Sequence, residues 1–173
     1  IVRGINDDQV GAIVDFAIRN ADKVTVVSFQ PVSFTGRDED IDEATRHERR
    51  YTLSHLAHDV ARQTGLTEPY RDWFPLSALS PFSDVVDVVL GQDAEWGSVK
   101  CGCHPNCGVG TPLFVNKTTK QALPLSDIVD LEQMMRDTQA IAEGCHGKAA
   151  TFAQLAVALL RNFKAETSPV TFR

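Results

Sequence analysis

Three of the four cysteines of this chain fall within seven residues, in Cys101-Gly102-Cys103-His104-Pro105-Asn106-Cys107-Gly108. Thiolates that close together, divided by Gly and Pro, suit a soft metal centre better than a disulfide ladder. Gly102, Gly108 and Gly110 give the backbone room for the tight turns of such a loop. The fourth cysteine, Cys145, lies in a second Gly-rich stretch, Gly144-Cys145-His146-Gly147. The C-x-C-x3-C spacing matches neither the paired C-x2-C of zinc sites nor the bacterial ferredoxin run. An iron–sulfur cluster on Cys101, Cys103 and Cys107 is the first expectation, and structural zinc the second. Free buried thiols come third, because three of them packed without metal are redox-labile. The fourth position stays open between Cys145, His104, an open iron and a residue from elsewhere in a longer polypeptide.

Other polar groups carry weaker chemistry. His47, His55 and His58 invite a metal reading; His55 and His58 are three residues apart on one helical face, but Leu53 and Leu56 define the buried stripe and leave both imidazoles among solvated residues. Asp38, Glu39, Asp40, Asp42 and Glu43 form an acidic run. Such runs can bind hard cations, and here it reads as a solvated loop. Gly108-Val109-Gly110 is too short for a phosphate loop. No nucleophile elbow, H-E-x-x-H or Walker motif occurs in the sequence.

These residues need elements to position them. Asn6 as N-cap and Gln9 three residues later predict an amphipathic helix over 7–20, with Val10, Ile13, Val14 and Ala17 on one face. Val24-Thr25-Val26-Val27-Ser28-Phe29 reads as a strand buried on both faces. With Ile1-Val2-Arg3 as the end of a preceding strand, this makes a βαβ unit, and the chain is expected to be a fragment of a longer polypeptide. Ligands of such units sit beyond the carboxyl ends of the strands, where Phe29, Gln30 and Pro31 lie.

Residues 34–50 read as a surface loop. Thr52 and Gly65 bracket a helix with Leu53, Leu56, Ala57 and Val60 inward. Ser80-Pro81 opens another, with Phe82, Val85, Val86 and Val89 inward and Gly91 at its end. Residues 113–115 and 121–123 flank a polar turn and predict a hairpin. Ser126 is expected to cap a helix carrying Ile128, Leu131, Met135 and Ile141. The final helix presents a stripe of Phe152, Leu155, Ala156, Leu159, Leu160 and Phe163.

The bulk composition excludes several classes. A chain of 173 residues with 43% apolar and 23% charged residues can bury a sizeable core. A net charge of −6 argues against nucleic acid as a partner. No apolar run reaches membrane-spanning length, and four cysteines in this length do not make a secreted disulfide scaffold. A reducing, cytoplasmic setting is expected.

Longer segments add a resemblance. Gly4-Ile5-Asn6-Asp7-Asp8-Gln9, then Ser28-Phe29-Gln30-Pro31-Val32-Ser33-Phe34-Thr35-Gly36-Arg37, resemble the later barrel strands of radical SAM enzymes. The nearer likeness is to the subfamily of tetraether synthases and dihydropterin methyltransferase-type proteins. Ser28 stands where that pattern has Asn. Trp73-Phe74-Pro75-Leu76 through Pro81, and Cys101 to Gly110 ahead of a hairpin, resemble the same subfamily's C-terminal region, so the likeness covers most of residues 1–145.

The resemblance implies an α/β fold, the C-terminal part of a partial (β/α)6 barrel over 1–93. A mostly helical extension over 94–173 would hold an auxiliary 4Fe–4S cluster on Cys101, Cys103, Cys107 and Cys145. It implies S-adenosylmethionine (SAM) and a second 4Fe–4S cluster in the full-length protein. Reductive cleavage of SAM there would give a 5′-deoxyadenosyl radical for methylation or C–C bond formation on an unactivated carbon of a small molecule or lipid. Arg3, Phe29 and Gln30 would face the cofactor or substrate. The C-x3-C-x2-C motif that holds the SAM cluster is absent from this chain. The chain alone is therefore expected to be inactive without the N-terminal half of the same polypeptide. The rival reading is a zinc-stapled, non-catalytic binding module.

Overall fold

The computed structural model describes residues 1–32, 34, 40–91, 107–144 and 147–169. They gather into two compact units, Ile1–Trp73 with Leu113–Leu123, and Phe74–Pro112 with Pro124–Arg173.

In the first unit a 3-10 turn, Asp7–Gln9, runs into helix α1, Val10–Arg19. Asn6 does not cap it. Its side chain instead accepts from the Val2 N–H at 2.8 Å, while Asp7 accepts from the Gly4 N–H at 2.8 Å. Both side chains close backwards because Gly4 turns the chain through the left-handed region at φ +73°. Helix α1 packs on α3, Leu53–Thr64, around a core of Val10, Val14, Tyr51, Leu56 and Val60. Helix α3 begins and ends where Thr52 and Gly65 predict. Thr52 accepts from the His55 N–H, and Gly65 is left-handed at φ +68°. The His55 Nδ1 accepts from the Thr52 N–H at 3.2 Å, so this imidazole completes a capping box. The buried Tyr51 hydroxyl donates to Asp59 at 2.7 Å, and Arg62 pairs with the same carboxylate at 2.6 Å. Burial, then that hydrogen bond, pushes the Tyr51 pKa well up, which keeps the phenol neutral.

Part of the expected loop 34–50 is helical. Helix α2, Glu43–Arg49, starts because the Asp42 carboxylate accepts from the Thr45 N–H at 2.7 Å and the Thr45 hydroxyl at 2.9 Å. The Thr45 N–H, foremost, holds the Asp42 carboxyl below its ordinary value. A depressed carboxyl stabilises fully above its unfolded pKa and loses that contribution as pH falls through the folded one. Circular dichroism should therefore show α2 losing helicity only below about pH 4. Asp42→Asn should flatten that acid limb. An unchanged acid profile in the variant would show that the cap does not govern α2.

Val24–Phe29 is not a strand. An extended segment becomes one only through a laddered neighbour, and among the described residues no ladder reaches it. Val26 is 79% exposed, whereas Phe29 packs on the first core with Ile1, Ile18, Leu66 and Trp73.

In the second unit, β1, Phe74–Pro75, pairs antiparallel with β2, Val109–Gly110. A 3-10 turn, Leu76–Leu79, leads into α4, Ser80–Leu90, with Pro81 in its first turn and Val85 and Val89 buried. Phe82 stays 36% exposed, and Ser80 is already helical, its hydroxyl donating to the Ser77 carbonyl. Strands β3, Leu113–Val115, and β4, Ala122–Pro124, a hairpin that falls with the first unit up to Leu123, form the expected two-stranded sheet. Its turn is fixed by Asn116, which accepts from the Thr118 and Thr119 N–H groups.

Helix α5, Leu131–Glu143, is capped by Asp130 rather than Ser126, which is buried in a preceding 3-10 turn. Helix α6, Lys148–Asn162, turns a different face inward from the one its apolar stripe predicts. Thr151, Ala158 and Asn162 are buried, while Phe152, Leu159 and Leu160 are exposed. Polar anchors set this rotation. Asn162 donates to Asp137 at 2.8 Å and its carbonyl accepts from Asp130, and Lys164 N–H donates to the Ile128 carbonyl at 2.7 Å. Val129 and Phe163 form an isolated antiparallel bridge beside them. These bonds keep the buried polar groups of this corner paired, and burying them unpaired would be costly.

Candidate functional site

The Gly4 turn sets the first group of candidate residues. The Ile1 terminal ammonium donates to the Gln30 carbonyl at 2.5 Å, and Val32 N–H donates to the Ile1 carbonyl at 3.0 Å. These two bonds straddle Pro31, which is the pattern of one parallel β rung. The rung sets the start of the chain beside residues 30–32, close to the Arg3 and Gln30 that sequence reasoning singled out. Gln30 and Arg3 are exposed, and Phe29 is half-buried against the core.

Arg3 N–H donates to the Arg49 carbonyl at 3.3 Å, tying the turn to the end of α2. A cleft of about 500 Å³ opens there, lined by Arg3, Gly4, Ile5, His47, Glu48 and Arg49. Sequence reasoning weighed His47 only as a metal ligand and passed over Glu48 and Arg49, because it placed all three in a loop. The Asp42-Glu43 start of α2 was the signal that could have found them.

The second group is the cysteine loop. Cys101, Cys103, His104 and Cys145 lie outside the described residues. Cys107 is exposed with a free thiol. It directly precedes Gly108, whose carbonyl accepts from the Leu76 N–H at 3.1 Å, and the β1–β2 register continues with Phe74 opposite Gly110 and Pro75 opposite Val109. Two stretches quoted separately from the sequence, Trp73 to Leu76 and Cys107 to Gly110, are thus hydrogen-bonded neighbours. A Cβ on Gly108 would meet the Leu76 Cδ1 at 2.7 Å, the end of an exposed side chain that can swing aside. Among the described residues no group of three or more His, Cys, Asp or Glu is placed to hold a metal. His58 stacks edge-on against Tyr70 with ring centroids 5.5 Å apart, away from any such role. No helix among the described residues is long and apolar enough to cross a membrane.

The chain matches no family model. It is 35% identical over 132 residues to the 7,8-dihydro-6-hydroxymethylpterin dimethyltransferase of Methanocaldococcus jannaschii. The match takes in 76% of this chain and 24% of that enzyme, so the chain spans about a quarter of the length of the methyltransferase to which it is similar.

Proposed function

We propose that this chain is the C-terminal portion of a radical SAM methyltransferase acting on an unactivated carbon of a small molecule, with a pterin-class heterocycle the first substrate to try. The carrying observation is the 35% identity over 132 residues to a dimethyltransferase. The Gly4 turn and the parallel rung at Pro31 support the reading, because they hold two chain segments side by side as a βαβ unit requires. In this proposal the first unit contributes the last part of a partial (β/α)6 barrel.

Cys101, Cys103, Cys107 and Cys145 would hold an auxiliary iron–sulfur cluster. The donor chemistry fits: the Cys107 thiol is exposed and free, on a segment fixed by the β1–β2 rung. When bound, such a cluster supplies one-electron chemistry or an anchoring site. This chain's own residues position the reaction. Gln30 offers an exposed amide directly before the rung at Pro31, able to donate and accept at one ligand edge. Phe29 fixes the segment by packing on the core.

The coding sequence upstream of Ile1 tests the reading first. It should contain C-x3-C-x2-C in the same frame. In the polypeptide that carries both parts, Gln30→Ala should lower methyl transfer at least about tenfold with little change in melting temperature, since the side chain is exposed. An upstream frame without the motif, or full methyl transfer in Gln30→Ala, would contradict the proposal.

A further inference from the structure

We infer that the cleft between the Gly4 turn and the end of α2 is a binding site for a phosphate-bearing ligand. This stands on the cleft itself and is independent of the radical SAM reading. Arg3 and Arg49 line it with His47, and among the described residues neither arginine lies within ion-pair distance of a carboxylate, although Arg49 feels the charge of Asp42. Both are exposed on a chain whose net charge is −6. Two arginines lining one cleft against that acidic background mark a local site for an anion.

The walls are held by main chain, not by the charged groups. Arg3 N–H donates to the Arg49 carbonyl at 3.3 Å, and Gly4 is fixed by its own N–H to Asp7. The guanidinium groups are therefore available to a ligand. Guanidinium forks match phosphate oxygens in bidentate geometry. The charge balance also points to phosphate. Arg3 and Arg49 give two positive charges, Glu48 subtracts one, and His47 adds a third donor. The set carries a net charge of +1, which attracts a phosphate anion, and the His47 ring offers a further polar contact. S-adenosylmethionine carries a sulfonium, an ammonium and one carboxylate, so its net charge is positive and the cleft disfavours it.

The test is titration of the 173-residue chain with inorganic phosphate and pyrophosphate, by calorimetry and phosphorus NMR, at ionic strength fixed with chloride. Pyrophosphate should bind more tightly than phosphate, and acetate should not compete. Arg3→Gln and Arg49→Gln should each weaken binding about tenfold, and Glu48→Gln should tighten it about threefold. Arg136→Gln, which alters an exposed pair with Glu132 on α5, is the charge control and should change nothing. Circular dichroism of each variant should match the parent, because the substituted side chains are exposed. No binding beyond chloride, or an equal loss in Arg136→Gln, would overturn the site. Displacement of pyrophosphate by S-adenosylmethionine with the same dependence on Arg3 and Arg49 would overturn the phosphate assignment.

Discussion

Gly11→Ala should destabilise the chain by about 2–3 kcal/mol, although alanine is the better helix former by about 1 kcal/mol. The steric term wins because of what faces Gly11. A Cβ there would meet the Gln63 Cβ at 2.6 Å, an atom fixed to the α3 backbone that cannot swing away. The same Gln63 clasps the start of α1. Its Oε1 accepts from the Gly11 N–H at 2.7 Å, and its Nε2 donates to the Asp7 carbonyl at 2.7 Å. Moving it breaks both bonds and loosens the turn that carries Arg3. Urea denaturation of Gly11→Ala, Gln63→Ala and the double variant measures the coupling. The single variants should each lose stability, and the double variant should lose less than their sum. A stabilised Gly11→Ala would show that helix propensity alone governs the position.

Asp72→Ala should cost about 2–4 kcal/mol, and Asp72→Asn clearly less. The Asp72 side chain is fully buried. It accepts from the Glu68 N–H at 2.6 Å and from Arg71 Nε and Nη2 at 2.6 and 3.0 Å. Alanine leaves a part-buried N–H unpaired, whereas asparagine keeps an acceptor for it. The guanidinium of Arg71 is half exposed, so solvent screens the ion pair and it carries little of the loss. Thermal melts of the two variants separate these effects. Equal losses would assign the stability to the charge rather than to the Glu68 N–H.

Local signals were the legible part of the fold. Thr52 and Gly65 marked both ends of α3, and the polar turn between 116 and 120 marked the β3–β4 hairpin, because caps and turns are decided within a few residues. Features decided at long range were not legible. The β1–β2 rung is two residues per strand and joins segments 34 positions apart in the chain, too short for alternation to show. The apolar stripe of α6 pointed to the wrong face, because Asn162 and the backbone pairing at Val129–Phe163 fix the helix rotation. At the candidate sites, Arg3 and Gln30 were singled out from expected strand ends, although residues 24–29 carry no ladder. The basic wall at His47 and Arg49 was hidden, because a capped seven-residue helix reads as a charged loop.

Anaerobic reconstitution of the chain with iron and sulfide tests the central claim most directly. The account predicts a brown protein with iron and acid-labile sulfide in comparable amounts. Cys103→Ala should lose most of both, because only two thiols then remain in the loop. Cys145→Ala reports on the fourth ligand, and a retained cluster there moves that role to His104 or beyond this chain. Tightly bound zinc without sulfide, in protein from cells grown with ample iron, would contradict the account and leave the zinc-stapled module in its place.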